Sequence, residues 1–156
     1  MNTKGIKIII DFAHTPNGLE QALKTLRSHS SSLSDLGVED LTSGKLISLI
    51  GCEGFRDIGK REMMGKIAGK LADYVIVTAV DPRGQLEVIN KQIIKDLKKN
   101  YFVIDDRQEA INFAINQLAK KGDIVGIFGK GHESSMNLDG KHEIPWSDKE
   151  AVAKVL

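Results

Sequence analysis

Short apolar runs recur along the chain, and longer segments with apolar residues on one helical face separate them. Runs of four to six residues that end in polar residues or glycine are typical of buried parallel strands. The runs therefore predict strands over Lys7–Asp11, Lys45–Ile50, Asp73–Thr78, Tyr101–Ile104 and Ile124–Phe128.

The intervening segments have the spacing and capping residues of helices. In the first of them, Leu19, Leu23 and Leu26 form an apolar face, and Thr15 followed by Pro16 is a favourable helix start. The pattern predicts helices from Pro16 to about His29 and over Lys60–Ala72, Leu86–Lys99, Asp106–Lys120 and Ser147–Leu156.

Other residues mark where these elements end. Gly122 is expected to cap the fourth helix, because glycine adopts the left-handed conformation that often ends a helix. Ser147 and Glu150 have the spacing of a capping box at the start of the last helix. The segment Ser28–Ser43 is rich in Ser, Gly and Asp, which predicts a flexible connection.

The alternation of strands and helices determines the predicted fold class. Right-handed βαβ units form a mostly parallel sheet, here of about six strands, with helices on both faces. Asp139–Gly140 predicts a hairpin turn between two extended segments, Ser134–Leu138 and Lys141–Ile144. The sequence thus predicts an α/β, Rossmann-like fold.

Composition narrows the possible partners. The 156 residues fit one domain, and a formal net charge of +1 gives no general attraction to nucleic acid or to an anionic membrane. The single cysteine, Cys52, fits a reducing cytoplasm and is expected to be a small buried hydrophobic residue rather than a nucleophile. The four His residues and Cys52 lack the spacing of a zinc site, so we expect no metal site within this chain.

Charged residues follow every predicted strand, and in a parallel sheet these positions share one edge, where ligands bind. They are Asp11 and His14; Glu53, Arg56, Asp57, Lys60 and Arg61; Asp81 and Arg83; Asp105, Asp106 and Arg107; and Lys130, His132 and Glu133. Glycines in the same loops (51, 54, 59, 129 and 131) would let a backbone approach a ligand closely.

These charges have two interpretations. Guanidinium groups bind carboxylates and phosphates through paired hydrogen bonds, and Glu133 could bind an ammonium group, so two Arg and one Glu would match a zwitterionic amino acid. Alternatively, the charges pair with one another or brace the loops, and spacing alone leaves both interpretations open. Gly129–Glu133 is not a P-loop, and the chain contains neither that motif nor a G-x-G-x-x-G fingerprint.

Several motifs in register resemble one family. Asp-Phe-Ala-His-Thr-Pro-Asn at Asp11–Asn17 resembles the Asp-Tyr-Ala-His-Thr-Pro-Asp motif that opens the C-terminal domain of the Mur ligases. Further segments that resemble motifs of that domain are Gly51–Arg61, Asp81–Arg83, Asp106–Ile111, Gly129–Glu133 and Ile144–Asp148. The order and spacing fit along almost the whole chain, and the resemblance is strongest to the members that add the third residue of the peptidoglycan stem peptide.

The resemblance implies that residues 1–156 form a single lid domain of an ATP-dependent amino-acid ligase, without its N-terminal and central ATP-binding domains. It implies ATP contacts at Asp11 and His14, with Mg²⁺ and the triphosphate cradle outside this chain and no catalytic residue in this domain alone. The implied pocket for the incoming amino acid is lined by Arg56, Asp81, Arg83, Gly129 and Glu133. The implied partners are UDP-MurNAc-L-Ala-D-Glu, a free amino acid and the missing central domain.

The chain departs from the family pattern at the loop Val80-Asp81-Pro82-Arg83, where the family has Asp-Asn-Pro-Arg. An Asp cannot donate the hydrogen bonds of an Asn, and it would repel a nearby ligand carboxylate. Phe55 and Glu53 also replace an acidic residue and a glycine. The resemblance implies that Arg83 favours meso-diaminopimelate, whose distal carboxylate it would bind, over lysine, and the altered loop weakens that preference. The alternatives are a stand-alone, non-catalytic binding module and a folylpolyglutamate- or cyanophycin-type ligase.

Overall fold

The computed structural model describes residues 4–31 and 44–156, and in them five parallel strands form one sheet. The strands are β1 (Lys7–Asp11), β2 (Leu46–Ile50), β3 (Tyr74–Val77), β4 (Tyr101–Val103) and β5 (Ile124–Phe128). Their order across the sheet is β1-β5-β2-β3-β4. The prediction of β1 and β5 is confirmed residue for residue, and β2, β3 and β4 lie within one residue of their predicted ends.

The parallel sheet has five strands in the described part of the chain, one fewer than the approximate count of six that the sequence predicts. The remaining strands, β6 (Ser135–Asn137) and β7 (Glu143–Pro145), pair antiparallel with each other and form a separate two-stranded sheet. The hairpin turn predicted at Asp139–Gly140 lies between them and is confirmed. Because a hairpin satisfies its backbone hydrogen bonds within the pair, these strands need no place in the parallel sheet.

The helices lie where the periodicity predicts them. They are α1 (Pro16–Ser31), α2 (Gly59–Leu71), α3 (Leu86–Ile94), α4 (Arg107–Asn112) and α5 (Asp148–Val155), with a π-helical segment at Phe113–Leu118. Of the predicted connection Ser28–Ser43, residues 28–31 belong to α1, and the rest lies outside the described residues. The Thr15 hydroxyl accepts from the Gly18 amide, and Ser147 accepts from the Glu150 amide, so both predicted N-caps are confirmed.

Two helix ends differ from the prediction. Helix α3 ends at Ile94 rather than Lys99, and the chain reverses at Asn100, which has a φ of +58°. Helix α4 continues as a π-helix that ends at Leu118, and Ala119 has an extended backbone. Gly122 is therefore not the C-cap of that helix; with a φ of +93°, it turns the chain into β5 and donates its amide to the Gly5 carbonyl.

Apolar side chains cover both faces of the sheet, which confirms the predicted layers. On one face, α1, α2 and α3 contribute Leu19, Leu23, Met64, Ala68, Ile89 and Ile93. On the other, α4, the π-helical segment and α5 contribute Ala110, Ile111, Ala114, Ile115, Ala151 and Val152. Burial of a Leu or Ile side chain contributes about 1.5–3 kcal/mol. The two layers leave the ends of the strands uncovered, so the loops at the carboxyl edge are free to form a site.

Candidate functional site

Hydrogen bonds join the loops at the carboxyl edge of the sheet into one structure. We number these loops by the strand they follow: loop 1 (residues 11–15, which include the last residue of β1), loop 2 (51–58), loop 3 (78–85), loop 4 (104–106) and loop 5 (129–134). The Gly129 amide donates to the Asp11 carbonyl (3.1 Å), and the Gly54 amide donates to the Asp81 carbonyl (2.9 Å). Lys60 at the start of α2 donates to the His14 carbonyl (3.0 Å). The sheet therefore brings together the residues that the sequence predicted at this edge.

A buried lysine lies between two carboxylates where loops 3 and 5 meet. Lys130 is 1% exposed, and its Nζ lies 2.8 Å from Asp81 Oδ2 and 2.7 Å from Glu133 Oε2. Asp81 is also buried, whereas 40% of the Glu133 side chain is exposed. With two carboxylates and one ammonium, the three groups have a net charge of −1. The exposed carboxylate of Glu133 can therefore attract an ammonium group.

The β6–β7 hairpin supports loop 3 from outside the sheet. The backbone amide of Asn137 donates to Asp81 Oδ1 (2.8 Å), and its backbone carbonyl accepts from the Arg83 backbone amide (3.1 Å). Asp81 and Arg83 have φ angles of +41° and +48°, a region that costs a non-glycine residue about 1–3 kcal/mol. The hydrogen bonds from β6 offset that cost. Sequence reasoning missed Asn137, since its contribution to the loop is mostly through its backbone.

The two arginines assigned to the amino-acid pocket differ in accessibility. Arg56 is exposed in loop 2, whereas Arg83 is partly buried and its Nη1 donates to the Gly54 carbonyl (3.1 Å). Gly54 is two residues from Arg56, so both arginines belong to the same corner of the site. Each guanidinium has five N–H donors, and one protein contact leaves Arg83 with donors for a carboxylate.

Two other arginines brace the structure rather than face a ligand. Arg107 is 2% exposed and forms a bidentate ion pair with Asp148, with Nε and Nη2 at 2.7 and 2.8 Å from its two oxygens. It also donates to the carbonyls of Ala79 and Phe128. Arg61 is buried as well and donates to Gln92 Oε1 (2.7 Å). The bracing interpretation therefore holds for these two residues.

Glycines in loop 2 serve loop packing instead of close approach to a ligand. A Cβ on Gly51 would lie 2.2 Å from the Thr78 carbonyl oxygen, and one on Gly54 would lie 2.2 Å from the Pro82 carbonyl oxygen. Both distances are far below van der Waals contact, and the atoms that a Cβ would meet belong to the backbone, which cannot move aside as a flexible side chain can. The expectation that these two glycines admit a ligand is thus corrected: they allow loops 2 and 3 to pack against each other.

Loop 1 presents polar atoms and an aromatic surface. Asp11 Oδ1 accepts from the Ala13 amide (2.8 Å), which fixes the turn, and Asp11 itself is exposed. The Phe12 ring lies 4.5 Å from the His14 ring and 5.7 Å from the His132 ring between centroids, and Phe12 is 38% exposed. Exposed aromatic rings of this kind can stack against a planar base.

Cys52 has no nucleophilic character. Its side chain is buried among apolar neighbours, and burial raises the pKa of the thiol to about 12. A thiol becomes a nucleophile only as the thiolate, which burial disfavours here. Nearby, Glu53 lies 3.7 Å from the Lys60 ammonium, so both charges are compensated within loop 2 and α2. The prediction of a buried, small hydrophobic residue at Cys52 is confirmed.

The part of the chain that the structure describes has neither a cluster of metal ligands nor a helix that could span a membrane. No group of three or more His, Cys, Asp or Glu side chains within 4–31 and 44–156 is placed to hold a metal ion. In the same ranges, every helix is too short or too polar to cross a membrane. A cavity of about 260 Å³, lined in part by Lys45, Tyr74 and Lys99, lies at the opposite, amino edge of the sheet and contains none of the predicted site residues.

Comparisons with known proteins agree with the fold and the motifs. The UDP-N-acetylmuramoyl-L-alanyl-D-glutamate–2,6-diaminopimelate ligase of Clostridioides difficile (strain 630) is 42% identical over 159 residues, which covers 99% of this chain. The ligase of the same name from Rickettsia bellii (strain RML369-C) is 43% identical over 148 residues and covers 94% of this chain. A solved structure of a ligase of that name superposes with a TM-score of 0.84 at 34% identity over 99% of this chain.

These matches occupy only part of each relative. The chain spans 30% of the Clostridioides difficile ligase, 29% of the Rickettsia bellii ligase and 30% of the solved chain. A sequence model described as "Mur ligase, glutamate ligase domain" matches residues 1–131, which contain all five loops except the last residues of loop 5. The chain therefore belongs to the Mur ligase family.

Proposed function

We propose that this chain supplies the pocket for the incoming amino acid in an ATP-dependent acid–amino-acid ligase of peptidoglycan precursor synthesis. The ligase adds the third residue of the stem peptide to UDP-MurNAc-L-Ala-D-Glu. The observation that carries the proposal is the juxtaposition of Arg56, Arg83 and a partly exposed Glu133 on linked loops at one edge of the sheet. The ligases named above, of which this chain resembles one part, support the reaction class.

Each group in the pocket has a distinct role. Arg56 and Arg83 bind carboxylates of the amino acid, because a guanidinium matches a carboxylate with two parallel hydrogen bonds. Glu133 binds an ammonium group, and Gly129 lines the pocket with its backbone. Asp81 belongs to the same cluster through Lys130.

The distribution of charge favours one substrate. Meso-diaminopimelate carries a distal carboxylate as well as a distal ammonium group, whereas lysine carries only the ammonium. Arg83 and Glu133 offer one partner to each of these groups, so we infer a preference for meso-diaminopimelate. The names of the relatives point in the same direction.

The reaction requires binding groups from this chain and from other domains of the same ligase. The acceptor peptide's carboxylate attacks the γ-phosphorus of ATP, which gives an acyl phosphate and ADP. The amine of the incoming amino acid then attacks the acyl carbon, loses a proton and releases phosphate as the amide forms. Asp11 and His14 in loop 1 contact ATP, and the exposed rings beside them suit a planar base. Bound Mg²⁺ would neutralise phosphate charge during the transfer.

We further propose that residues 1–156 form one lid domain. Its partner is the central ATP-binding domain of the same enzyme, which would hold Mg²⁺ and the triphosphate, and the substrates are those of the cytoplasmic stage of cell-wall synthesis. No residue of this domain alone is assigned a catalytic role, because each predicted site residue is suited to binding rather than to covalent chemistry.

The test is ATP-dependent phosphate release by the full-length ligase that carries this domain. UDP-MurNAc-L-Ala-D-Glu is supplied with meso-diaminopimelate, lysine or ornithine in separate reactions. We expect turnover with meso-diaminopimelate at the lowest KM. Arg83→Met should raise that KM about tenfold or more and should affect lysine less, since lysine lacks the distal carboxylate.

Lys141→Met provides the control for that variant, because Lys141 is exposed in the hairpin turn and only its backbone amide is bonded there. This variant should change neither KM. Absence of turnover with all three amino acids, from a folded protein that binds ATP, would refute the ligase assignment and favour a non-catalytic binding module.

A further inference from the structure

Lys130 is a buried cation to which none of the roles above is assigned. Only 2% of its side chain is exposed, and its ammonium group lies within hydrogen-bond distance of two carboxylates. A buried charge without a partner is strongly unfavourable, so both carboxylates compensate this ammonium. Lys130 is also the second residue of the Gly-Lys-Gly-His-Glu segment, of which Glu133 is the fifth.

The two carboxylates around Lys130 are not equivalent. Asp81 has an 11% exposed side chain, and both its oxygens have protein partners: Lys130 Nζ at Oδ2 and the Asn137 amide at Oδ1. The Glu133 side chain is 40% exposed, and its Oε2 forms an ion pair with the same ammonium group. A ligand at the edge of the sheet therefore reaches Glu133, whereas Asp81 faces the interior.

We propose that Lys130 is a positioning residue of the amino-acid pocket, anchored by Asp81 and holding the carboxylate of Glu133 in place for the ligand. This inference rests on the proposed function. The loop geometry fixes the anchor, because the hairpin holds Asp81 through Asn137 and Asp81 holds Lys130. Since the ammonium neutralises one of the two carboxylates, the cluster retains a charge that suits one ammonium group of the substrate.

The same arrangement gives Asp81 a different role from that of a direct ligand contact. From sequence, an aspartate at this position would repel a substrate carboxylate held by Arg83. In the structure, the Asp81 charge is compensated by Lys130 at 2.8 Å, so the repulsion is largely cancelled. Asp81 is a counter-ion within the protein, and the contact with substrate belongs to Glu133.

The test compares variants of the full-length ligase in the phosphate-release assay. Lys130→Met keeps the length of the side chain and removes the charge, so two carboxylates face each other without their cation and Glu133 moves toward solvent. We expect the KM for the amino acid to rise about tenfold or more, with kcat within about threefold of wild type, because binding rather than chemistry is affected. The KM for ATP should stay unchanged.

A second substitution separates positioning from a general loss of stability. Asp81→Asn removes the charge of the anchor and leaves one side-chain oxygen to accept where two accept now, so the KM for the amino acid should rise by about threefold, less than in Lys130→Met. Lys130→Met combined with Asp81→Asn still lacks the ammonium that holds Glu133, so its KM for the amino acid should stay as high as that of Lys130→Met, without a further loss from Asp81→Asn. Lys130→Arg keeps the charge and should resemble wild type more than Lys130→Met does. Lys141→Met is the matched surface control.

Three results would overturn the inference. One is an unchanged KM for the amino acid in Lys130→Met; another is a rise in Asp81→Asn as large as in Arg83→Met, which would make Asp81 a direct contact. The third is a Lys130→Met/Asp81→Asn variant whose KM returns to the wild-type value, which would mean that Lys130 only compensates the Asp81 charge and does not position Glu133.

If the wild-type enzyme turns over no amino acid, the proposed function fails by itself. The positioning role is then decided by crystal structures of the full-length wild type and Lys130→Met. An unmoved Glu133 carboxylate in the variant would contradict it.

Discussion

At the residue scale, burial decides what each charged side chain does. Arg56 and Arg107 both follow predicted strands, and the sequence alone gives no reason to treat them differently. In the structure, Arg56 is exposed in loop 2, whereas Arg107 is 2% exposed and joins α4 to α5 through Asp148. A buried, fully paired guanidinium holds the structure together, and an exposed one is available to bind a ligand.

The Arg107–Asp148 pair gives a stability prediction. Arg107→Met should lower the free energy of unfolding by about 3–5 kcal/mol, because the Asp148 carboxylate would be left buried without its cation. Urea denaturation followed by circular dichroism measures the change. Lys91→Met is the control: it removes an ion pair whose side chains are 71% and 82% exposed, and the midpoint should not move. A loss below about 1 kcal/mol for Arg107→Met would mean that the pair is dispensable.

At the element scale, the β6–β7 hairpin extends the site beyond the parallel sheet. Its turn is held by Asp139, which accepts from the amides of Lys141 and His142 and from the His142 ring. Asn137 lies at the end of β6 and supports loop 3. The hairpin therefore connects a local turn, readable in sequence, to Asp81 and Arg83 in loop 3.

The turn gives a pH prediction. The hydrogen bond from the His142 ring, followed by those from the backbone amides of Lys141 and His142, lowers the pKa of Asp139 below its ordinary value. Because the folded chain favours the ionised form of Asp139, this carboxylate stabilises the fold. That stabilisation is complete above the ordinary carboxylate pKa of about 4 and is lost as the pH falls toward the lower pKa of the folded chain. Asp139→Ala should therefore lower the thermal midpoint at pH 6 more than at pH 3. An equal fall in the thermal midpoint at both pH values would contradict this linkage. Lys141→Ala is the control, because Lys141 bonds to Asp139 only through its backbone amide, which the variant keeps.

At the scale of the whole molecule, the parallel sheet concentrates charged side chains of the described residues at one edge. All the residues assigned to substrates and ATP lie in the loops after the strands, and the chain has no P-loop motif. The chain covers about 30% of the ligases it resembles. Under the proposed function, its charged loops form half of a site, and a second surface carries the phosphates.

The whole-molecule prediction concerns the chain by itself. Mixed with ATP, Mg²⁺, UDP-MurNAc-L-Ala-D-Glu and meso-diaminopimelate, the 156-residue chain should release no phosphate above background. The full-length ligase, assayed in parallel, should be active. Phosphate release by the chain alone, dependent on all substrates, would contradict the division of labour proposed here.

The sequence by itself determined the order and nature of the elements, because hydrophobic period and capping depend on local residues. β1 and β5, the Thr15 and Ser147 caps and the Asp139–Gly140 turn could all be read in this way. It also placed the charged residues on one edge, since parallel strands end together. The π-helical end of α4 could not be read, because the spacing of Ile111, Ile115 and Leu118 fits an ordinary α-helix.

Only the tertiary structure decided how those charges are used. Sequence separation hides that Lys130 meets Asp81, that Asn137 supports loop 3 and that Arg107 reaches Asp148. Each of these contacts joins residues from different parts of the fold, and whether a charge is buried depends on what packs over it. The chemistry of each residue is fixed by its type, but its partner and its exposure are properties of the folded chain.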